Sequence, residues 1–225
     1  MNPTSEKALV IGATGGIGAA LTRALEAGGA SVTPLSRSGD GFDLTDETSI
    51  ARAAEALDGP FDLIFDATGA LVIDGAAPEK TIAVIDPAAM AAQFALNAIG
   101  PALLLKHLHP LLPTDRRAVF VTLSARVGSI GDNGLGGWIS YRAAKSALNQ
   151  IVRTAAIEIA RRRPEAVVAA LHPGTVRTDL TSKYAGRHPT VSPDEAAANL
   201  LAVIADLTPE NTGGFFAWDG KPIPW

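Results

Sequence analysis

The sequence predicts a doubly wound α/β domain, a mainly parallel sheet with helices on both faces. Three observations point there. Short apolar runs of strand length alternate with longer helical patterns along the whole chain, the arrangement that right-handed crossovers convert into a parallel sheet. The chain has 225 residues, 47% of them apolar, enough to cover both faces of such a sheet. A glycine-rich turn separates the first strand from the first helix, where the carboxyl edge of a parallel sheet carries its ligands.

Buried parallel strands are expected at residues 8–11, 31–35, 61–66, 118–123, 167–171 and 214–217, each a short apolar run. Helices are expected at 17–27, 46–57, 87–112, 140–163 and 193–207. Thr45 or Asp46 suits the cap of the second, Pro87 the first turn of the third, and Ser192-Pro193-Asp194-Glu195 opens the last. Arg161, Arg162 and Arg163 precede Pro164 and read as a helix C-terminus favouring positive charge, not as a nucleic-acid patch. No repeat or Ser/Gly linker divides the chain, so residues 1–225 are read as one domain.

Composition narrows the function. A formal net charge of −4 offers no basic field for a nucleic-acid backbone or an anionic membrane, and neither partner is expected. The absence of cysteine removes disulfides, thiolate metal sites and a cysteine nucleophile, and suits a reducing compartment. Residues 1–7 lack the apolar stretch of a secretory signal, so a cytoplasmic location is expected. The apolar stretch 88–112 is interrupted by Gln93, Asn97, Lys106 and His107 and reads as a core helix, not a membrane span. His107 and His109 diverge on a helix, and His172 and His188 have no carboxylate-histidine spacing, so no metal is expected.

Gly12-Ala13-Thr14-Gly15-Gly16-Ile17-Gly18 joins the first strand to the first helix. Glycines there allow a tight turn and close backbone approach to a pyrophosphate, whose charge the free amides and dipole of the helix N-terminus attract. Gly12, Thr14, Gly16, Ile17 and Gly18 are therefore the expected dinucleotide contacts of a Rossmann-type fold. After the second strand stands Arg37, where an acidic residue would bind a ribose hydroxyl and an arginine pairs with a 2′-phosphate. NADP(H) is expected ahead of NAD(H).

Tyr141 and Lys145 are four residues apart near the start of a long helix and share one face. Hydride transfer to a carbonyl needs a proton donor for the developing alkoxide, and the reverse reaction needs a base. A tyrosine serves both if its pKa falls, as a neighbouring ammonium and the positive end of the helix would favour. Ser124 ends the fourth strand and is a candidate donor to the substrate oxygen.

These motifs, in this order, resemble the short-chain dehydrogenase/reductase family. The loop Gly12, Gly16, Gly18 is similar to its Gly-x-x-x-Gly-x-Gly loop, and Ser140 to Ala147 to its active-site segment. The resemblance implies that Tyr141 is the acid/base and that Lys145 lowers its pKa and grips the nicotinamide ribose. It also implies that Asn97 holds a water in the proton relay, the alternative being a satisfied buried amide. Asp43, before Leu44, resembles an element beside the adenine, or else is a turn or capping residue. Asp66-Ala67-Thr68-Gly69 parallels the family's Asn-Asn-Ala-Gly, implying cofactor contacts at Ala67, Thr68 and Gly69. Pro173, Gly174, Val176 and Thr178 resemble its Pro-Gly-x-Val-x-Thr element, with Val176 and Thr178 meeting the carboxamide.

Ile11 stands where a threonine often precedes the first glycine, Asp66 and Ala67 replace the two asparagines, and a third departure falls on the catalytic serine. The family shows Ser-Ser-x-x-Gly with the second serine catalytic, whereas this chain reads Ser124-Ala125-Arg126-Val127-Gly128. Ser124 serves only if the loop shifts it by one place, and Ser129 is a weaker substitute. The implied reaction is hydride transfer between NADP(H) and a small carbonyl or alcohol substrate. The different-class rival, motivated by Ala125 and the altered Asp66-Ala67 pair, is a nucleotide-binding regulatory protein with little turnover. Substrate choice is expected largely in residues 178–192, with help from 128–138 and 215–225; Lys183, Arg187 and His188 would either meet an anionic group or be solvated. The family's habit implies a homodimer or homotetramer.

Overall fold

The computed structural model describes residues 6–178 and 190–225. Six parallel strands form one sheet: β1 (Lys7–Ile11), β2 (Ser31–Leu35), β3 (Leu63–Asp66), β4 (Ala118–Leu123), β5 (Ala166–His172) and β6 (Phe215–Ala217), in the order β2-β1-β3-β4-β5-β6. Winding reverses between β1 and β3, and such a switch point opens a crevice at the strands' carboxyl ends.

Strand residues alternate between two apolar layers, as the two-residue period requires. Leu9, Ile11, Ile64, Phe120 and Val168 face one side, against Ile50 of α3 (Glu47–Ala56), Leu104 and Leu108 of α5 (Gly100–Leu108), and Leu148 and Val152 of α6 (Ile139–Ala160). Val10, Phe65, Val121, Leu123 and Leu171 face the other, against Leu21 and Leu25 of α1 (Gly16–Ala27) and Leu200 and Ile204 of α7 (Pro193–Asp206). Burying each such side chain contributes about 1.5–3 kcal/mol, which is why near-continuous apolar runs mark the central strands.

Three local departures follow from particular residues. β2, expected to be buried, is a half-exposed edge strand; Pro34 has no N–H for a second ladder and is tolerated at an edge. A short helix unseen in the sequence, α2 (Arg37–Asp40), follows it, capped by the Ser36 hydroxyl accepting from the Gly39 N–H at 3.0 Å. The helix expected at 87–112 is interrupted: α4 (Pro87–Phe94) passes into a π-helical turn, Ala95–Ile99, before α5. Pro101 supplies no N–H to the carbonyl four residues back, that of Asn97, and the wider turn absorbs the misfit.

Capping otherwise falls where the side chains place it: Asp46, Asp86 and Ser192 each accept from an N–H of the turn they open. The stretch Pro87–Leu111 is long and apolar enough to cross a membrane by length and composition. Its leucines Leu104, Leu105 and Leu108 belong to the core layer above the sheet, and Gln93 and Asn97 are buried against a loop of the protein.

Candidate active site

The turn after β1 is closed by the Gly15 N–H donating to the Gly12 carbonyl at 3.0 Å. Gly12 has φ +80°, and a β-carbon on Gly18 would lie 2.2 Å from the Gly12 oxygen. Gly12 and Gly18 thus fold the turn against the helix start, while Thr14, Gly15, Gly16 and Ile17 line a cleft of about 1100 Å³. Ser38 donates to the Thr14 hydroxyl at 3.1 Å, tying α2 to this turn. Arg37, the first residue of α2, is exposed beside it and lies outside the cleft wall.

Asp43 is also outside the wall. Its carboxylate accepts from the Thr45 N–H at 2.8 Å and the Thr45 hydroxyl at 2.7 Å. These bonds hold its pKa below the usual carboxylate value, with Arg37 adding to them. The structure therefore gives Asp43 a turn-forming role, whatever it adds beside a ligand.

The loop after β3 forms the next wall. Asp66, fully buried, accepts from the Thr68 N–H at 2.9 Å, from the Thr68 hydroxyl and, at 2.6 Å, from Thr122. Burial pushes its pKa up; the hydrogen bonds and Lys145 oppose that. Asp66 thereby sets the path of Ala67, Thr68 and Gly69, all of which line the cleft. Gly69 has φ +136°, and a β-carbon there would stand 3.0 Å from Asn97 Oδ1 and 3.3 Å from Lys145 Nζ.

Asn97 sits in the π turn, wholly buried and bonded at both ends of its amide. Nδ2 donates to the Ala70 carbonyl at 2.9 Å and to Gln93 Oε1 at 2.8 Å, and Oδ1 accepts from the Ala70 N–H at 3.2 Å. It does not line the cleft itself. The satisfied-amide alternative describes these contacts, and through them Asn97 holds the Gly69-Ala70 loop beside Lys145.

Helix α6 carries Tyr141 and Lys145 into the cleft wall. Its start is set by Trp138, in the left-handed region at φ 53°, after Gly136 and Gly137, both also left-handed. Glu79 accepts from the Ser140 N–H and hydroxyl, placing a carboxylate on the helix N-terminus. Trp138 meets the Tyr141 ring edge-on at 6.4 Å. The Lys145 ammonium lies 6.0 Å from the Tyr141 ring centre and donates to the Leu123 carbonyl at 2.9 Å. Burial pushes Lys145 down to about 8, against the pull of Asp66. Burial also pushes Tyr141 up to about 12, opposite in direction to the lowering expected from Lys145. The phenol is held in its proton-donating form.

Ser124 and Ala125 both line the cleft. The Ser124 hydroxyl donates to Asn149 Oδ1 at 2.7 Å, and Asn149 Nδ2 donates to the Gly128 carbonyl at 3.3 Å. Ser129 bonds to the Pro224 carbonyl and is outside the wall. Pro173, Gly174, Val176 and Thr178 complete the cleft. Gly174 has φ +77° and leaves room for Trp218; Gly16 does the same for Thr178, whose methyl would be 2.7 Å from a β-carbon there. Lys183, Arg187 and His188, with most of the expected substrate loop, lie outside the described residues.

Sequence reasoning missed several wall residues: Leu71, Lys80, Arg126, Arg142 and His172. Among the described residues the wall holds no Asp or Glu, so its charge is wholly basic. Arg126 is paired with Asp132 at 2.6 Å, and Arg142 donates to the Gly137 and Val127 carbonyls. Leu135 and Trp138 belong to the 128–138 loop, expected to help substrate choice, and both line the cleft; Lys80 reaches it from a segment far from α6 in sequence.

The glycine turn at the sheet's switch point and the tyrosine-lysine pair in the cleft wall are the features of a dinucleotide-dependent oxidoreductase. Comparison with known proteins agrees. A family model described as enoyl-(acyl carrier protein) reductase matches residues 41–218. A dehydrogenase of Rhodococcus sp., 1-hydroxy-2-glutathionyl-2-methyl-3-butene dehydrogenase, is 32% identical, covering 96% of this chain and 98% of that protein. The C-signal protein of Myxococcus xanthus is 34% identical over 78% of this chain and 99% of its own. The fold is similar to that of NADPH-bound carbonyl reductase from chicken fatty liver, with TM-score 0.81 and 24% identity over 98% of this chain and 94% of that one. A carbonyl reductase from Pseudomonas aeruginosa gives TM-score 0.78 and 25% identity over 98% and 100%. The chain belongs to the short-chain dehydrogenase/reductase family and is an NAD(P)-dependent enzyme of that family.

Proposed function

We propose that this enzyme transfers a hydride between NADP(H) and a small carbonyl or alcohol substrate, with Tyr141 as the acid/base. The observation that carries the proposal is the placement of Tyr141 and Lys145, one helical turn apart, in the wall of the cleft that the glycine turn also lines. The protonated phenol is the form that gives a proton to a developing alkoxide. Lys145, fixed by the Leu123 carbonyl, holds a donor beside that ring. Asn97 positions the Gly69 loop against Lys145.

The cleft suits the cofactor. Glycines leave no β-carbon between the turn and the ligand space, and the charged side chains of the described wall, Lys80, Arg126, Arg142 and Lys145, are all basic. Gly12 to Gly18 would hold the pyrophosphate; Arg37 and Ser38 would face a 2′-phosphate, and Asp43 the adenine side. Ala67 to Gly69, Lys145 and Pro173 to Thr178 would hold the nicotinamide riboside. The cofactor, when bound, supplies the hydride. The NADPH named for the chicken liver structure favours NADP(H) over NAD(H) here.

Ser124 is not carried into this proposal as a substrate donor, because its single hydroxyl hydrogen goes to Asn149. A second reading, a regulatory nucleotide-binding protein of the same fold, is favoured by Ala125 and by Asp66-Ala67 in place of the family's two asparagines. NADPH titration followed by its oxidation with benzaldehyde, acetophenone and menadione, with Tyr141→Phe as control, tests both. Turnover lost in Tyr141→Phe supports the enzyme; tight NADPH binding with no turnover on the panel supports the regulatory protein.

A further inference from the structure

His172 ends β5, immediately before the Pro173-Gly174 turn, and lines the cleft. β4 and β5 are adjacent and paired Leu123 to Leu171, with the Ser124 N–H donating to the Leu171 carbonyl at 2.8 Å. Leu123 and Leu171 both face the α1 and α7 layer. Strand alternation therefore turns Ser124 and His172 to the opposite face, the one covered by α6 and its Tyr141, Lys145 and Asn149. His172 thus stands beside the Ser124-Ala125 strand end, on the side where the proposed chemistry takes place.

Its hydrogen bonding is incomplete. Nδ1 is fully enclosed and has no hydrogen-bond partner. Burial, with Arg126 nearby, pushes the imidazole down to about 4 against the opposing charge of Asp132. The ring is therefore neutral at physiological pH and carries one N–H. An orphaned buried N–H is rarer than an orphaned acceptor, which assigns the lone pair to Nδ1 and the hydrogen to Nε2. Meanwhile the neighbouring strand end offers the substrate no free hydroxyl hydrogen: Ala125 has none, and Ser124 donates to Asn149.

We propose that His172 is a further catalytic residue, its neutral Nε2–H donating to the oxygen of the reacting carbonyl in the place a hydroxyl at Ala125 would take. In reduction the oxygen would then receive two hydrogen bonds, one from Nε2–H and one from the Tyr141 phenol. The phenol proton transfers as the hydride reaches carbon, and the imidazole keeps its own proton throughout. A neutral donor stabilises the developing negative charge without competing with Tyr141 as the acid. The inference rests on the carbonyl reduction proposed above.

The test is NADPH oxidation with benzaldehyde and menadione. His172→Phe is expected to lower kcat about 100-fold, the effect of removing one oxyanion donor, with NADPH affinity and melting temperature near those of the wild type. His172→Gln, which keeps an amide donor, should retain most of the rate. Adding Ala125→Ser to His172→Phe should restore about tenfold or more of the lost kcat, a recovery that a packing role for His172 would not give. Wild-type kcat in His172→Phe, or a folded His172→Phe that Ala125→Ser does not rescue, overturns the proposal while leaving carbonyl reduction standing. Absence of turnover in the wild type overturns both. Should His172→Phe not fold, nitrogen NMR of histidine-labelled wild type decides: a neutral Nε2–H tautomer whose signal moves on adding benzaldehyde with NADP⁺ is expected. An imidazolium, an Nδ1–H tautomer or an unmoved signal contradicts it.

Discussion

Ser124 gives its hydroxyl hydrogen to Asn149 Oδ1 at 2.7 Å, joining the end of β4 to the middle of α6. The bond is buried at both ends, and Asn149 passes it on to the Gly128 carbonyl. Ser124→Ala is therefore expected to cost about 1 kcal/mol of stability and to leave carbonyl turnover nearly unchanged. Denaturant melts and steady-state rates check this. A loss of about 100-fold in kcat, the size of a missing oxyanion donor, would return Ser124 to the chemistry.

Lys145 is a buried ammonium whose folded pKa, about 8, lies below its usual 10.5. Below pH 8 it is charged in both the folded and unfolded chain, and the folded state bears the full burial cost. Between about 8 and 10.5 the unfolded chain binds the extra proton, so this group's contribution to stability rises with pH. Above that window both forms are neutral and the cost is gone. Lys145→Met should thus abolish turnover yet stabilise the ligand-free protein at pH 7 by about 1–2 kcal/mol. The gross gain of roughly 3 kcal/mol is partly offset by the unpaired Leu123 carbonyl. Urea titrations at pH 7 and pH 11 measure it. A variant less stable than the wild type at pH 7 contradicts the account.

Gly18 has no room for a side chain. A β-carbon would sit 2.2 Å from the Gly12 carbonyl oxygen, which belongs to backbone and cannot rotate away. Gly18→Ala is expected to destabilise the fold by about 1–3 kcal/mol and to weaken NADPH binding by displacing the turn. Thermal melts with and without NADPH give both quantities. Unchanged melting would mean that the turn tolerates a shift and does not fix the ligand space.

Much of this site was legible because its signals are local. The glycine turn, the Tyr141 and Lys145 pair and the Pro173-Gly174 turn each lie within a few residues, and their spacing fixes their geometry whatever surrounds them. Other parts depend on partners distant in sequence. Glu79 caps α6 from the loop ahead of α4, and Asn149 takes the Ser124 hydroxyl across 25 residues. The neutrality of His172 comes from burial that no neighbouring residue announces. Two fold features did carry a sequence signal that apolar periodicity masked: Pro34 marks β2 as an edge, and Gly100-Pro101 marks the break between α4 and α5. Gly100 further admits Leu44, whose Cγ would be 2.5 Å from a β-carbon there.

Arg37 is exposed at the start of α2, one residue from the Ser38 that holds Thr14. Arg37→Ala should weaken NADPH binding by about 1.5–3 kcal/mol, the worth of a hydrogen bond to a charged group, and NADH binding far less. Fluorescence titrations with the two cofactors separate these. Equal losses would remove the 2′-phosphate assignment and leave the cofactor preference to other residues.

The central claim is that hydride passes from NADPH to a carbonyl carbon while Tyr141 protonates its oxygen. The most direct measurement is a single turnover of NADPH carrying deuterium at the transferable position, with benzaldehyde or acetophenone, in the wild type and in Tyr141→Phe. Deuterium is expected in the reduced product for the wild type, with a rate lower by about 10²- to 10⁴-fold in Tyr141→Phe and NADPH affinity retained. NADPH binding with no deuterium transferred, or an undiminished rate in Tyr141→Phe, would contradict it.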